Sequence, residues 1–102
     1  MQKVYAKKHM IIFQRAESGE YVVYNTNKPW EDGHTHIHTL KQAKYLVDCI
    51  LNNKIPQKVN SYFLVSLIRL SNDKKYTQQV EYRLENMQKR KLYYNTPKGF
   101  RR

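Results

Sequence analysis

The first forty residues show the short, alternating apolar pattern of β-strands. The segments "HMIIFQR" and "EYVVYNT" are rich in β-branched and aromatic residues, and "AESG" between them supplies a turn with Gly19. Together they predict a β-hairpin over residues 9–26. The segment "VYA" at residues 4–6 offers a further edge strand, and the alternating "HTHIH" predicts a short strand over residues 34–38.

The apolar positions change to a helical spacing after Thr39. Thr39 and Gln42 match the T-x-x-Q capping box, in which each side chain satisfies a free backbone N–H group of the other residue. The apolar residues that follow share one face, which predicts a helix over residues 40–53. Cys49 falls outside this apolar stripe on a helical wheel, so a second packed surface or a dimer contact is open for it.

Two more helices follow in the second half of the chain. The segment over residues 57–71 is apolar nearly all round, which predicts a buried central helix opened by Pro56. A third helix is predicted over residues 73–93. Its apolar stripe is Tyr76, Val80, Leu84 and Met87.

These elements predict one α+β domain over residues 1–95. It consists of an N-terminal two- to three-stranded antiparallel β-meander followed by three α-helices. Residues 96–102 form a basic C-terminal tail that contains two helix breakers, Pro97 and Gly99. A chain of 102 residues with 40% hydrophobic residues supports a core of this modest size.

The distribution of charge favours a polyanionic partner. The chain holds 19 Lys and Arg against 8 Asp and Glu, a formal net charge of +11. Residues 1–16 carry four basic residues and no acid, and residues 86–102 carry six basic residues and no acid. Basic ends around a nearly neutral middle indicate nucleic acid or a nucleoprotein complex as the partner, while a merely soluble basic protein is the simpler alternative.

Composition also bears on the cellular compartment. A single cysteine excludes an intramolecular disulfide and fits a reducing interior. The N-terminal segment has too short an apolar stretch for a signal peptide, and no apolar run approaches the length of a membrane span. We therefore expect a cytoplasmic protein without a membrane partner. No cofactor motif is present, and the sequence leaves the oligomeric state open.

The alternating histidines are the most conspicuous candidate for site chemistry. On a strand, His34, His36 and His38 point to one side, while Thr35 and Ile37 point to the other. Two such imidazoles can chelate zinc, but neither a C-x-x-C nor an H-E-x-x-H motif supports a metal site. We favour a polar strand face, or a contact for an anion or a partner that also involves Trp30, over a catalytic centre.

The outer side of the third helix is the strongest candidate for a binding surface. A helical wheel places Lys75, Tyr82, Lys89 and Tyr93 opposite the apolar stripe, with Arg90 at their flank. Tyrosine beside lysine and arginine suits base stacking and phosphate contact. The tail continues this pattern with Lys98, Phe100, Arg101 and Arg102. The sequence therefore predicts a non-enzymatic nucleic-acid-binding protein that reads phosphates rather than bases.

Two alternative functions stay open. The composition, rich in Lys, Asn, Ile and Tyr, is similar to that of proteins from AT-rich bacteria or their phages. It suggests a phage or mobile-element factor of the anti-CRISPR type, which binds a host nucleic-acid enzyme and uses Trp30 in the acidic "WEDG" loop as an anchor. The second alternative is a metal-dependent hydrolase built on the three histidines.

Overall fold

The sheet has four antiparallel strands in the order β1-β2-β3-β4, as the computed structural model shows. The strands are β1 Gln2–Lys7, β2 Met10–Gln14, β3 Tyr21–Asn25 and β4 His34–Ile37. The helices α1 Leu40–Leu51, α2 Ser61–Leu70 and α3 Lys74–Asn95 follow. The structure describes residues 1–95, with side chains to residue 90. The α+β class is confirmed, while the sheet has four strands where two or three were predicted.

The predicted hairpin is present as β2 and β3, and Gly19 occupies its turn. Gly19 has a φ of 74°, a left-handed conformation that glycine adopts without steric cost. The additional strand, β1, pairs with β2 in antiparallel orientation. A two-residue loop connects the two strands, and Lys8 in this loop has a φ of 54°. The edge strand that "VYA" suggested is therefore real and extends beyond those three residues.

One face of the sheet carries the main core. The inward side chains of β2, β3 and β4 are Met10, Ile12, Val23 and Ile37, and all four are buried. Helices α1 and α2 cover this face, and α3 packs on α2 through the stripe that the sequence predicted. Tyr76 and Val80 of this stripe are buried, and Leu84 and Met87 pack against the core. No helix of residues 1–95 is long and apolar enough to cross a membrane.

Helix α2 differs from its prediction in both its start and its exposure. It begins at Ser61 rather than at residue 57, because the Asn60 side chain accepts a hydrogen bond from the Phe63 N–H and caps the helix there. Pro56 lies in the preceding loop and does not open the helix. The helix is not buried on all sides as predicted, since Tyr62 and Val65 are 54% and 45% exposed to solvent.

Helix α1 begins as predicted, and of the two alternatives left open for Cys49 the structure shows the second packed surface. Thr39 caps the helix by accepting a hydrogen bond from the Gln42 N–H at 3.1 Å. Because α1 packs against the sheet and against α2, its buried surface is wider than one stripe, and it includes Leu46 and Cys49. Burial raises the pKa of the Cys49 thiol to about 11.

We therefore expect Cys49 to be unreactive in the folded protein. The thiolate is the nucleophile, and burial both suppresses its formation and blocks access of a reagent. A thiol reagent at pH 8 should label Cys49 at the rate of global unfolding, and labelling should become fast once urea unfolds the chain. Rapid labelling of the folded protein without denaturant would show that the thiol is accessible.

Candidate nucleic-acid interface

The outward face of α3 carries the described part of the predicted interface. Lys75, Tyr82 and Lys89 are exposed on the side of the helix opposite its apolar stripe, and Arg90 is exposed at their flank. Tyr82 is 68% exposed. The structure thus brings three of the predicted residues to one helix face, with a fourth exposed beside it. Of the other predicted contacts, Lys98, Phe100, Arg101 and Arg102 lie outside the described residues, and so does the side chain of Tyr93.

Tyr82 differs from the other tyrosines in residues 1–90. Each of those others contacts a partner within the protein through its ring or its hydroxyl group: Tyr5, Tyr21, Tyr24, Tyr45, Tyr62 and Tyr76. Within this described part of the chain, Tyr82 alone has neither a stacking partner nor a hydrogen bond. Its aromatic surface is therefore available to a ligand.

The charges on this face are not all positive. The Lys89 Nζ lies 3.1 Å from the Glu85 Oε1, one turn earlier on α3, and both side chains are largely exposed. An exposed pair at this spacing is worth only about 0.3–0.5 kcal/mol, so a phosphate can displace Glu85 from Lys89. Arg83 does not belong to the face, because its Nη1 donates to the Pro56 carbonyl at 2.8 Å.

The alternating histidines lie on the sheet face opposite the core. His34 and His36 are partly buried there, as the inward position of Ile37 required, while His38 is exposed beyond the strand. The His34 ring stacks on Trp30 at 4.3 Å, and its Nδ1 donates to the Trp30 carbonyl. The His34 ring also packs edge-on against the His36 ring at 5.4 Å, so these two histidines lie together under Trp30, while His38 lies beyond the strand.

His36 forms a hydrogen bond with a carboxylate. Its Nδ1 donates to Glu20 Oε1 at 3.0 Å, and Arg15 contacts the same oxygen at 3.2 Å. The hydrogen bond from His36 holds the pKa of the Glu20 carboxyl below its usual value, and Arg15 acts in the same direction. Residues 1–90 contain no group of three or more His, Cys, Asp and Glu side chains that could hold a metal ion.

Trp30 covers the outer face of the sheet. Its ring packs edge-on against Tyr24 at 5.0 Å and against Phe13 at 6.3 Å, and 37% of the residue stays exposed. Arg69 of α2 fixes the loop by donating to the carbonyls of Glu31 and His34, both at 2.8 Å. Trp30 is thus held as part of the sheet's outer packing rather than presented freely to a partner.

Sequence reasoning missed a cavity of about 560 Å³ beside His36 and His38. It lies where β4 ends and where α1 and α2 begin, and it is also lined by Lys58, Asn60 and Tyr62. These three residues were hidden because the second helix was predicted to begin at residue 57. An N-cap signal at Asn60 could have separated the loop from the helix.

No family model, curated protein or solved structure matches the chain.

Proposed function

We propose that this protein is a non-enzymatic nucleic-acid-binding module. It contacts phosphates through Lys75, Lys89 and Arg90 on the outer face of α3 and through the basic tail, residues 96–102. Tyr82 stacks on a base. The observation that carries the proposal is the exposed ring of Tyr82, which has no partner among residues 1–90 and lies between lysine and arginine side chains that are also exposed.

The chemistry of the face favours single strands. Lysine binds phosphate as a point charge without reading a base, so the cations give affinity and a dependence on salt. A tyrosine ring can stack on any unpaired base, whereas the faces of paired bases are occupied within a duplex. The face therefore suits single-stranded RNA or DNA with little sequence preference.

The inhibitor alternative has less support in the geometry. It needs Trp30 as an exposed anchor, but this ring packs on Tyr24, Phe13 and His34. An aromatic residue contributes most to the binding free energy when a partner protein buries its ring. The packing of Trp30 instead supports a role in covering the sheet.

Replacement of Tyr82 tests the stacking contact directly. Tyr82→Ala should weaken binding to a short labelled single strand by about 1 kcal/mol or more, which is at least roughly fivefold, because stacking contributes about 1–3 kcal/mol per base. Tyr82→Phe is the matched control: it keeps the ring and should bind within about twofold of the original protein. Fluorescence polarisation at low salt measures both. Equal affinity of Tyr82→Ala and the original protein would exclude stacking at this position.

A further inference from the structure

We infer that the cavity between β4 and the starts of α1 and α2 binds a nucleoside monophosphate, with the base against Tyr62 and the phosphate at Lys58 and His38. This inference rests on the proposed function in one respect, since it takes the monophosphate to be the end of a bound strand. A free nucleotide has the same chemistry, and the experiments below separate the two sources.

The size and walls of the cavity fit a ligand of this class. Its volume of about 560 Å³ lies within the usual range of small-molecule sites, about 300–1,000 Å³. Its apolar wall is formed by Ile37, Val59 and Phe63. Gln42 and Asn60 add side-chain amides that can donate to and accept from a base. An apolar wall with a few amides is the usual composition of a pocket for a planar, polar ring.

Tyr62 presents a fixed aromatic surface at this cavity. Its hydroxyl group donates to the His36 carbonyl at 2.7 Å, so the ring is tied to the edge strand β4. The residue is nevertheless 54% exposed. Because the hydroxyl group is already engaged, the ring offers a stacking surface with a defined orientation, and little side-chain entropy is lost when a base packs on it.

The charges at the cavity favour an anion. Glu20 is the one carboxylate that lines it, and both Arg15 and His36 already contact that carboxylate. Within the described chain, neither Lys58 nor His38 forms an ion pair. Lys58 and His38 can both carry a positive charge and have no counter-charge among residues 1–90, while the carboxylate of Glu20 is already engaged. A phosphate monoester would supply the missing negative charge.

The proposed contacts to the ligand come from side chains that line the cavity and not from the N-termini of α1 and α2. Thr39 and Asn60 already cap α1 and α2, so each helix start has an acceptor from the protein itself. The Asn60 Oδ1 accepts from the Phe63 N–H, which directs the side chain and leaves its amide N–H₂ group for a ligand.

The loop that carries Lys58 is held in place by α3. The Tyr76 hydroxyl group donates to the Lys54 carbonyl at 2.6 Å, and Arg83 donates to the Pro56 carbonyl. Because these bonds fix the loop just before Lys58 and Val59, the cavity is largely preformed and its occupant pays little ordering entropy. The helix that carries the proposed interface thus also supports the cavity.

The test is titration of the ¹⁵N-labelled protein with 5′-AMP, adenosine and inorganic phosphate, followed by NMR. AMP should shift the resonances of His36, His38, Asn60 and Tyr62 and should bind at least about tenfold more tightly than adenosine or phosphate. Lys58→Gln should weaken AMP binding about fivefold or more, whereas Lys7→Gln, an exposed lysine on the opposite edge strand β1, should leave it unchanged. AMP without effect on the lining residues, phosphate that binds as tightly as AMP, or equal affinities of Lys58→Gln and Lys7→Gln would each overturn the inference.

Oligonucleotides with and without a 5′-phosphate then identify the source of the nucleotide. Tighter binding of the phosphorylated oligoadenylate, with the advantage lost in Lys58→Gln, indicates a strand end. Equal binding of the two oligonucleotides, with AMP still bound, indicates a free nucleotide. The two proposals fail separately: Lys89→Glu with Arg90→Glu should weaken oligonucleotide binding but not AMP binding, so loss of one signal leaves the other interpretable.

Discussion

Replacing Asn25 with alanine should lower the free energy of unfolding by about 2–4 kcal/mol, since buried polar partners would lose their hydrogen bonds. Asn25 is fully buried at the end of β3. Its Nδ2 donates to the Leu70 carbonyl at the end of α2, at 2.7 Å, and its Oδ1 accepts from the Asn27 N–H at 2.8 Å. One side chain thus joins the sheet, the last turn of α2 and the loop that leads to Trp30.

The measurement is urea unfolding followed by Trp30 fluorescence and far-UV circular dichroism. Asn27→Ala is the matched control, because the Asn27 side chain is exposed and its backbone N–H remains to bond with Asn25. That variant should stay within about 0.5 kcal/mol of the original protein. If Asn25→Ala were equally mild, with an unchanged denaturant slope, the junction at the end of β3 would not have the stabilising role assigned to it.

The double substitution Lys89→Glu with Arg90→Glu should weaken binding to single-stranded nucleic acid by about 30- to 100-fold at low salt. Two phosphate contacts become repulsive, and the slope of log affinity against log salt should become shallower by about 1.4, about 0.7 for each contact with a single strand. Both side chains are exposed, so the variant should fold and unfold as the original protein does.

Two comparison variants separate the α3 face from net charge. Lys3→Glu with Lys7→Glu changes the net charge by the same amount on exposed positions of β1, and it should weaken binding much less. Glu85→Gln removes the partner of Lys89 and should strengthen binding a few-fold, because the lysine no longer has a competing carboxylate. Equal losses in the two charge reversals would indicate binding by overall charge rather than by this face.

The sequence predicted the elements whose patterns are local. Alternation in "MIIFQ" and "YVVYN" identified two strands, and the stripe from Tyr76 to Met87 identified the inward side of α3, because each pattern depends on neighbours along the chain. The strand β1 was only partly foreseen. Its segment "QKVYAK" is mostly exposed, and pairing with β2 decides its structure.

The features that depend on distant contacts were missed or left open. The start of α2 depends on the Asn60 cap and on a loop held by Tyr76 and Arg83 from another helix. For Cys49 the sequence left a second packed surface and a dimer contact open, and only the packing of α1 against two partners at once decides for burial.

The candidate sites divide in the same way. The α3 face could be predicted from periodicity alone, because the helical repeat decides which residues of one long helix lie opposite its apolar stripe. The cavity draws on Glu20, on residues 36–42 and on residues 58–63, which come together only in the fold. The packing of Trp30 over His34 likewise depends on the path of the loop, which Arg69 fixes from α2.

The most direct test of nucleic-acid binding by α3 is a fluorescence-polarisation titration of short labelled single strands and duplexes over a series of salt concentrations. If Lys75, Lys89, Arg90 and the three basic residues of the tail each engage one phosphate, the slope of log affinity against log salt should be about −4 to −5 for single strands. Single strands should also bind more tightly than duplexes. No binding at low salt, or a slope near zero, would contradict the account despite the net charge of +11.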